Sequence, residues 1–264
     1  MATPCSKVVR VKRGLDGKVQ SYQVRIVAGS HRQVEGINYT EMFSAAAKMP
    51  TVWAVLTNAA HQNWEMEHIN VKSVYLNALL KEDIYMRAPR GVLKPGQEGK
   101  VLKLLKGLYG LKQAGRGWYL EMSRVLITEM GFKCSRIDHS VFYKRKGKEH
   151  TIVAVATDDM VVTSKCVVDA NWFKSKIKQF WEITDHGQIR WFLGFKIKRD
   201  RKARMISINQ QAYIELIVKK FRLTNIKKIL TPIDPYVQFS TKQCPSTLNQ
   251  MNKMKGVPYC EAIG

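Results

Sequence analysis

Two adjacent carboxylates interrupt an apolar run, and this feature constrains the fold more than any other. Residues 152–156 read IVAVA, Asp158 and Asp159 follow Thr157, and residues 160–162 read MVV. Apolar, β-branched runs on both sides predict two strands joined by a tight turn at the pair. The run contains no Gly, Asn or Pro of the kind that usually forms such turns. The pair is therefore either the solvated tip of a hairpin or a carboxylate pair presented to a divalent metal ion.

The charge balance predicts a polyanionic partner, with nucleic acid as the first candidate. The chain of 264 residues carries 44 Lys and Arg against 21 Asp and Glu, which gives a net charge of +23. Basic clusters occur at 144–146, 196–204 and 219–220, and the remaining basic residues are spread along the chain. Dispersed charge fits a long groove that neutralises many phosphates. The alternative for any single cluster is ordinary solvated surface.

The cysteines and histidines indicate a reduced compartment and no zinc site. The five cysteines are odd in number, widely scattered and without a Cys-x-x-Cys pair, and no histidine joins them at a zinc-binding spacing. Residues 1–10 lack the apolar core of a signal peptide, and no apolar stretch approaches the roughly 20 residues that span a bilayer. We expect an intracellular protein, cytoplasmic or nuclear, that is not secreted and does not enter a membrane.

Hydrophobic periodicity predicts an α+β fold with one sheet and packed helices. A basic hairpin is expected over residues 8–28, with its turn at 15–18. Helices are expected at 50–59, with Pro50 in the first turn, at 117–130 with Gly131 as the C-cap, at 168–180, and at 214–221 with Asn209 as the N-cap. Residues 89–99 are expected to form a loop. The predicted strands cover 68–75, 84–86, 141–143, 151–156 and 160–163, followed by a hairpin of 191–198 with 205–208.

Eight segments resemble one family, the reverse transcriptases of copia-type retrotransposons, in the family's order and at its approximate spacing. They are YQVRIVA at 22–28, EGINYTEMF at 35–43, NVKSVYLN at 70–77, IYM at 84–86, GLYGLKQ at 107–113, TDDM at 157–160, WFLG at 191–194 and TPID at 231–234. Residues 259–264 resemble the start of the family's connection region, so we expect a truncated chain without an RNase H domain.

The resemblance implies a right-hand polymerase with palm and fingers and a partial thumb. In that arrangement residues 1–60 form the fingers hairpin and first helix, and 61–87 form the first part of the palm. Residues 88–130 form the second part of the fingers. Residues 131–208 complete the palm with the Asp-Asp hairpin and a primer-grip-like hairpin, and 209–264 form a partial thumb and the start of the connection.

The resemblance also implies a function, template-directed DNA synthesis from RNA. Its partners would be an RNA template, a DNA primer and deoxynucleoside triphosphates, while the oligomeric state stays open. The implied cofactor is Mg²⁺ in a two-metal site, with ions about 4 Å apart bridged by carboxylates. Asp158 and Asp159 would be catalytic metal ligands, and the third catalytic position, an aspartate in the family, is Asn70 here.

Further residues take roles from the family pattern. Arg25 would contact the triphosphate, Tyr75 would exclude a ribose 2′-hydroxyl, and Gln113 would touch the nucleotide or template. The primer grip, which holds nucleic acid, would be formed by Trp191, Phe192, Leu193 and Gly194.

The sequence departs from the family at several of these positions. A neutral amide at Asn70 replaces an anionic ligand, and Gln23 and Gly29 stand where the family commonly has basic residues. Ala156 replaces an aromatic residue next to the Asp pair. Glu65 and Glu67 are expected to precede the strand of Asn70, so rescue by either would need a change of register. We therefore expect impaired catalysis, and the alternative is a catalytically inactive retrotransposon remnant or a basic nucleic-acid-binding module.

Overall fold

The computed structural model describes residues 2–13, 19–147, 149–221, 223–224, 236–238, 240–255 and 257. The chain divides into two compact units, one from Met1–Phe192 and Ile197–Ser207 and the other from Leu193–Lys196 and Ile208–Gly264. The predicted turn at 15–18, the TPID segment and residues 259–264 lie outside the described residues. Among the helices of the described part, none is both long and apolar enough to cross a bilayer.

The described strands form four sheets, so the prediction of a single sheet is wrong while the α+β class is confirmed. A six-stranded sheet has the order β10-β3-β9-β8-β7-β6, and β11-β12-β13 form a second sheet. The pairs β1-β2 and β4-β5 each form a separate ribbon. The strands are β1 Cys5–Arg13, β2 Val19–Ala28, β3 Glu65–Val71, β4 Leu79–Arg87, β5 Val101–Lys106, β6 Lys133–Cys134, β7 Val141–Lys146, β8 Glu149–Ala156, β9 Asp159–Ser164, β10 Ile183–Gln188, β11 Trp191–Phe192, β12 Phe195–Asp200 and β13 Met205–Asn209.

The described residues form five α-helices, of which the first four confirm the predicted segments with shifted ends and the last was not predicted. They are α1 Met49–His61, α2 Ala114–Arg124, α3 Val167–Ile177, α4 Gln211–Lys220 and α5 Leu248–Met254. Pro50 lies in the first turn of α1, where its missing N–H costs nothing. A π-helical turn, Val125–Glu129, continues α2, and Gly131 has the positive φ of 74° expected just past a helix end. The N-cap of α4 is Gln210 and not Asn209, whose Oδ1 accepts from the backbone N–H of Gln211.

The large core lies on one face of the six-stranded sheet. Strand residues at alternate positions, such as Ile69 and Val71 of β3, point toward α2 and α3. The helices contribute Trp118, Met122, Phe173 and others. β9 is buried along nearly its whole length, which explains its continuous apolar run.

The strand that carries Asn70 differs from its prediction at both ends. β3 runs from Glu65 to Val71, and Tyr75 lies beyond it in a 3-10 helix, Val74–Asn77. Glu65 and Glu67 therefore lie within β3 and do not precede it. They share the face of Ile69 and Val71, opposite to Asn70, because side chains alternate along a strand. Neither can replace the missing carboxylate in this register.

Glu67 instead belongs to a partly buried cluster of charged side chains. Nζ of Lys174 lies 3.3 Å from Oε2 of Glu67 and 3.0 Å from Oδ2 of Asp185. Burial alone would lower the pKa of Lys174, but the hydrogen bonds and charges of Asp185 and Glu67 outweigh it and raise that pKa. Burial would likewise raise the pKa of Asp185, but the Gly187 N–H and Lys174 hold it below its usual value.

We expect Lys174→Met to lower the free energy of unfolding at pH 7 by about 1–3 kcal/mol, because two carboxylates lose their partner. A carboxyl group whose pKa is lowered by folding stabilises the folded state at pH values above its unfolded pKa of about 4. This stabilisation is lost as the pH falls through the pKa of the folded state. The difference between variant and parent should therefore shrink below about pH 4. Urea unfolding across this range measures it, with the exposed Lys165→Met as control. If the difference in the free energy of unfolding does not shrink at acidic pH, Lys174 is not the partner of the two carboxylates.

Candidate active site

The turn that joins β8 to β9 presents the carboxylate pair without the usual turn residues. Ala156 pairs with Asp159, so Thr157 and Asp158 alone form the loop. Thr157 takes a left-handed conformation with φ of 59°, which is unfavourable for a β-branched residue. Two hydrogen bonds hold the turn: Trp118 Nε1 donates to Thr157 O at 2.7 Å, and Val71 N donates to Asp158 O at 2.7 Å. Tertiary contacts thus replace local turn chemistry.

Asn70 lies directly between the two carboxylates. It pairs with Asp159 across β3 and β9, so the two side chains project from the same face. Its Nδ2 donates to Asp158 Oδ2 at 3.2 Å and to Asp159 Oδ1 at 3.0 Å. The amide therefore bridges the pair as a neutral donor, at the position that the family pattern assigns to an anionic ligand.

Two histidines complete the surroundings of Asp159. His68 Nε2 lies 2.9 Å from Asp159 Oδ1, and its ring stacks on that of His186 at 4.7 Å between centroids. Burial alone would raise the pKa of Asp159, but the hydrogen bonds from His68 and Asn70 and the two nearby histidines lower it. Asp159 is thus held in its ionised form.

The site opens into a cleft of about 780 Å³. Asn70 and Asp158 line one wall, and residues of β2, including Gln23 and Arg25, line another. The Oε1 atom of Gln23 is buried and accepts no hydrogen bond, so an acceptor in this wall has no protein partner. The cleft, which we call the carboxylate cleft, thus combines the carboxylate of Asp158 with a basic and polar wall.

Arg25 and Tyr75 meet through a third residue, Tyr109. The Arg25 guanidinium lies 4.9 Å from the centroid of the Tyr109 ring, a cation–π contact, and Tyr75 contacts the same ring edge-on at 4.8 Å. Burial, followed by the nearby Tyr109 and Asp158, raises the pKa of Tyr75. Arg25, Tyr75 and Asp158 therefore share one region, and the roles of Arg25 and Tyr75 toward a nucleotide stay predictions.

Gln113 lies apart from this cleft and lines another, of about 1000 Å³, beside α2 and β4. Its side chain is buried and already bonded: Oε1 accepts from Gln33 at 2.9 Å, and Nε2 donates to Asn38 O at 2.7 Å. The predicted contact between Gln113 and the nucleotide or template stays a prediction.

The WFLG segment divides between the two units of the chain. In the first unit, Trp191 is half-exposed, while Phe192 is buried and its ring lies perpendicular to that of His68, with 5.8 Å between the ring centroids. In the second, Leu193 and Gly194 both have positive φ, 48° and 82°. Phe192 therefore lies behind the histidine that contacts Asp159, and the grip on nucleic acid stays a prediction.

The donor set does not fit the two-ion site that the resemblance implies. Mg²⁺ takes oxygen ligands, and among the described residues the anionic ones at this turn are Asp158 and Asp159, whose facing oxygens receive the Asn70 amide and His68. Within the described residues, no group of three or more His, Cys, Asp or Glu side chains is arranged to hold a metal ion. Two bridged ions need more anionic ligands than this arrangement offers.

Sequence reasoning missed four residues of the site: His68, Tyr109, Trp118 and His186. His68 had a usable signal, because it lies two residues before Asn70 and so shares its strand face. Tyr109 lay within the GLYGLKQ segment but carried no assigned role. Trp118 and His186 reach the site from separate elements, and no local pattern indicates this.

Comparisons with known proteins agree with the resemblance. The family profile described as reverse transcriptase (RNA-dependent DNA polymerase) matches residues 2–235. The retrovirus-related Pol polyprotein from transposon TNT 1-94 of Nicotiana tabacum is 33% identical over 261 residues, which is 98% of this chain and 20% of that protein. The Pol polyprotein from transposon RE1 of Arabidopsis thaliana is 30% identical over 236 residues, 89% of this chain and 16% of that protein.

A more distant relative comes from yeast. The transposon Ty1-DR1 Gag-Pol polyprotein of Saccharomyces cerevisiae is 29% identical over 205 residues, 75% of this chain and 11% of that protein. The chain thus spans a fifth or less of the length of these three polyproteins. It belongs to the reverse transcriptase (RNA-dependent DNA polymerase) family, as a reverse transcriptase domain of the copia-type retrotransposon Pol.

Proposed function

We propose that this domain binds an RNA template, a DNA primer and a deoxynucleoside triphosphate but is deficient in two-metal nucleotidyl transfer. One observation carries the proposal: the Asn70 amide bridges Asp158 and Asp159 at 3.2 and 3.0 Å, where catalysis calls for a further anionic metal ligand. The missing charge weakens both metal binding and activation of the primer hydroxyl.

The binding half of the proposal has separate support. The net charge of +23 favours a polyanion, and Arg25 stands in the wall of the carboxylate cleft. We assign Arg25 to the triphosphate, Tyr75 to exclusion of a 2′-hydroxyl, and Trp191, Phe192, Leu193 and Gly194 to the primer. Free thiols at the four described cysteines fit the intracellular setting, cytoplasmic or nuclear, that we expect.

The proposal includes a right-hand arrangement with fingers at 1–60 and 88–130, palm at 61–87 and 131–208, and a partial thumb at 209–264. The six-stranded sheet that carries Asn70 and the Asp pair fits the role of a palm. Most of the second compact unit, Ile208–Gly264, coincides with the proposed thumb segment, which supports a separate thumb.

An active polymerase is the second candidate. It is favoured by the ionised Asp159 and by the retention of Tyr75 and Arg25 near the carboxylates. For this candidate, an additional ligand from substrate or solvent has to complete the metal site.

Template–primer binding and extension, measured on the same protein, separate the candidates. We expect fluorescence anisotropy to show that a labelled RNA–DNA hybrid binds, with log K falling linearly against log salt because bound phosphates release counterions. With Mg²⁺ and deoxynucleotides, we expect no more extension than from the Asp158→Asn/Asp159→Asn variant. Extension above that control establishes the active polymerase, and an affinity independent of salt contradicts the binding half.

A further inference from the structure

Three arginines gather at the end of β3 remote from Asn70, and we call Arg199, Arg201 and Arg204 the arginine cluster. Arg199 lies in β12, and the other two lie in the turn that leads to β13. Two of them contact the end of α1 and the turn that follows it: Arg199 donates to Asn63 Oδ1 at 3.2 Å and Arg204 to His61 O at 3.4 Å. All of these residues belong to the same compact unit.

Anionic partners for the cluster are too few. Arg201 pairs with Glu65, whereas Arg199 and Arg204 contact a neutral amide and a backbone carbonyl. Burial and the neighbouring Arg201 lower the pKa of Arg199, so its charged form is disfavoured where it stands. In addition, the buried Nε of Arg199 donates no hydrogen bond. Glu65 compensates the charge of Arg199 only in part, so an unused donor and an incompletely compensated charge meet at one point.

We propose that the arginine cluster binds a phosphate of the nucleic-acid backbone, as a contact separate from the carboxylate cleft. Planar guanidinium groups with several donors match phosphate oxygens in a fork-like geometry, and an anion relieves the repulsion between Arg199 and Arg201. Asn63 has a left-handed φ of 56° and Arg204 one of 52°, so the local backbone is held in a specific shape around the cluster. The proposal rests on the proposed function, in that the domain must bind nucleic acid.

The length of β3 sets how long a nucleic-acid strand must be to contact both the carboxylate cleft and the arginine cluster. Glu65 and Asn70 are five residues apart on β3, which at about 3.3 Å per residue corresponds to about 16 Å. Successive nucleotides of one strand of a duplex advance about 3.4 Å, so a nucleic-acid strand that contacts both places spans at least about five nucleotides. A shorter hybrid bound at the carboxylate cleft cannot reach the cluster.

The same end of the sheet offers an aromatic surface. Trp64 directly precedes β3, and its ring lies 5.8 Å from that of His150 in β8. Both side chains are half-buried, so part of each ring faces solvent. A basic cluster beside aromatic rings is typical of surfaces along which single strands lie.

A salt titration of a double variant tests the proposal in the full chain. We expect Arg199→Gln/Arg204→Gln to reduce the steepness of log K against log salt by about 1 for a long hybrid with a template overhang, because one phosphate contact is lost. For a hybrid of about four base pairs, kept paired by a covalent link at the end away from the cluster, we expect no change. The matched control, Lys133→Gln/Arg136→Gln, removes two charges at β6 and the loop after it, and should change neither slope.

The outcomes separate this inference from the proposed function. If the unmodified chain binds no hybrid, the proposed function fails. If it binds but the arginine variant behaves like the control, the cluster proposal fails alone. Arg25→Ala should weaken binding of a deoxynucleoside triphosphate, whereas the arginine double variant should not, which reports the carboxylate cleft independently.

A spectroscopic readout covers the case in which the double variant does not fold. The Nε–H resonance of Arg199 in the unmodified chain, assigned by its loss in Arg199→Lys, should move when the long hybrid is added. Inorganic phosphate at matched ionic strength tests whether a free anion suffices; we expect a smaller movement, because it lacks the second contact in the cleft. A resonance that stays fixed on saturation with the long hybrid overturns the proposal.

Discussion

Asn70→Asp is expected to raise Mg²⁺-dependent primer extension on an RNA template by about 10²- to 10⁴-fold over the unmodified chain. The substitution replaces a neutral donor by an anionic oxygen ligand between Asp158 and Asp159, and each 1.36 kcal/mol of transition-state stabilisation is worth about tenfold in rate. The side chains are nearly isosteric, so the strand register should be kept.

Folding stability gives a second readout of the same change. Without metal, Asn70→Asp brings three carboxylates together and loses two hydrogen bonds, so the variant should unfold at a lower temperature than the parent in a chelator. Mg²⁺ should then raise the unfolding temperature of Asn70→Asp more than that of the unmodified chain. Asn70→Asp with Asp158→Asn is the control. If neither the unmodified chain nor Asn70→Asp extends the primer although both are folded, the defect extends beyond Asn70.

Trp118→Ala is expected to lower the free energy of unfolding by about 3–5 kcal/mol, since the side chain is 2% exposed and fills the large core. Its ring contacts that of Trp181 at 4.7 Å, and its Nε1 donates to Thr157 O. Trp118→Phe keeps an aromatic ring but leaves that carbonyl without its donor, so we expect a smaller loss of about 1–3 kcal/mol. Denaturant unfolding of both variants measures the difference.

The two Trp118 variants also bear on the site. Thr157 keeps its left-handed conformation only while the surroundings enforce it. In the Asn70→Asp background, Trp118→Phe should therefore reduce extension while most stability remains. The matched control is Trp181→Phe, which alters the same aromatic pair without touching the turn. Equal activity of the two variants would show that the hydrogen bond does not position Asp158.

The sequence allowed much of the local structure to be predicted, because the main signals were local. β-branched runs on both sides of the Asp pair predicted β8 and β9, and Pro50 and Gly131 marked helix ends. The end of β3 could not be predicted in the same way. Residues 72–75 continue a strand-like composition, yet Ser73 turns into a left-handed conformation with φ of 50° and a 3-10 helix follows.

Of the candidate site, the sequence predicted only the residues whose own type indicates their chemistry. The carboxylate pair was found from its unusual neighbours, and Asn70 was found through the family pattern. The partners of Asp159 came from tertiary structure, because His68 and His186 are more than 100 residues apart and meet only when β3 pairs with β10. The hydrogen bond from Trp118 to the turn is of the same long-range kind.

The strand order has a consequence for incomplete copies of such a domain. β10 covers the side of β3 that would otherwise be an open edge, and it is added more than 110 residues after β3 along the chain. A copy interrupted before Ile183 would expose the backbone N–H and C=O groups of β3, directly beside Asn70. Open edges of this kind recruit strands from other chains. Interrupted copies of this domain are thus expected to be lost to aggregation, and not to persist as soluble fragments with half a site.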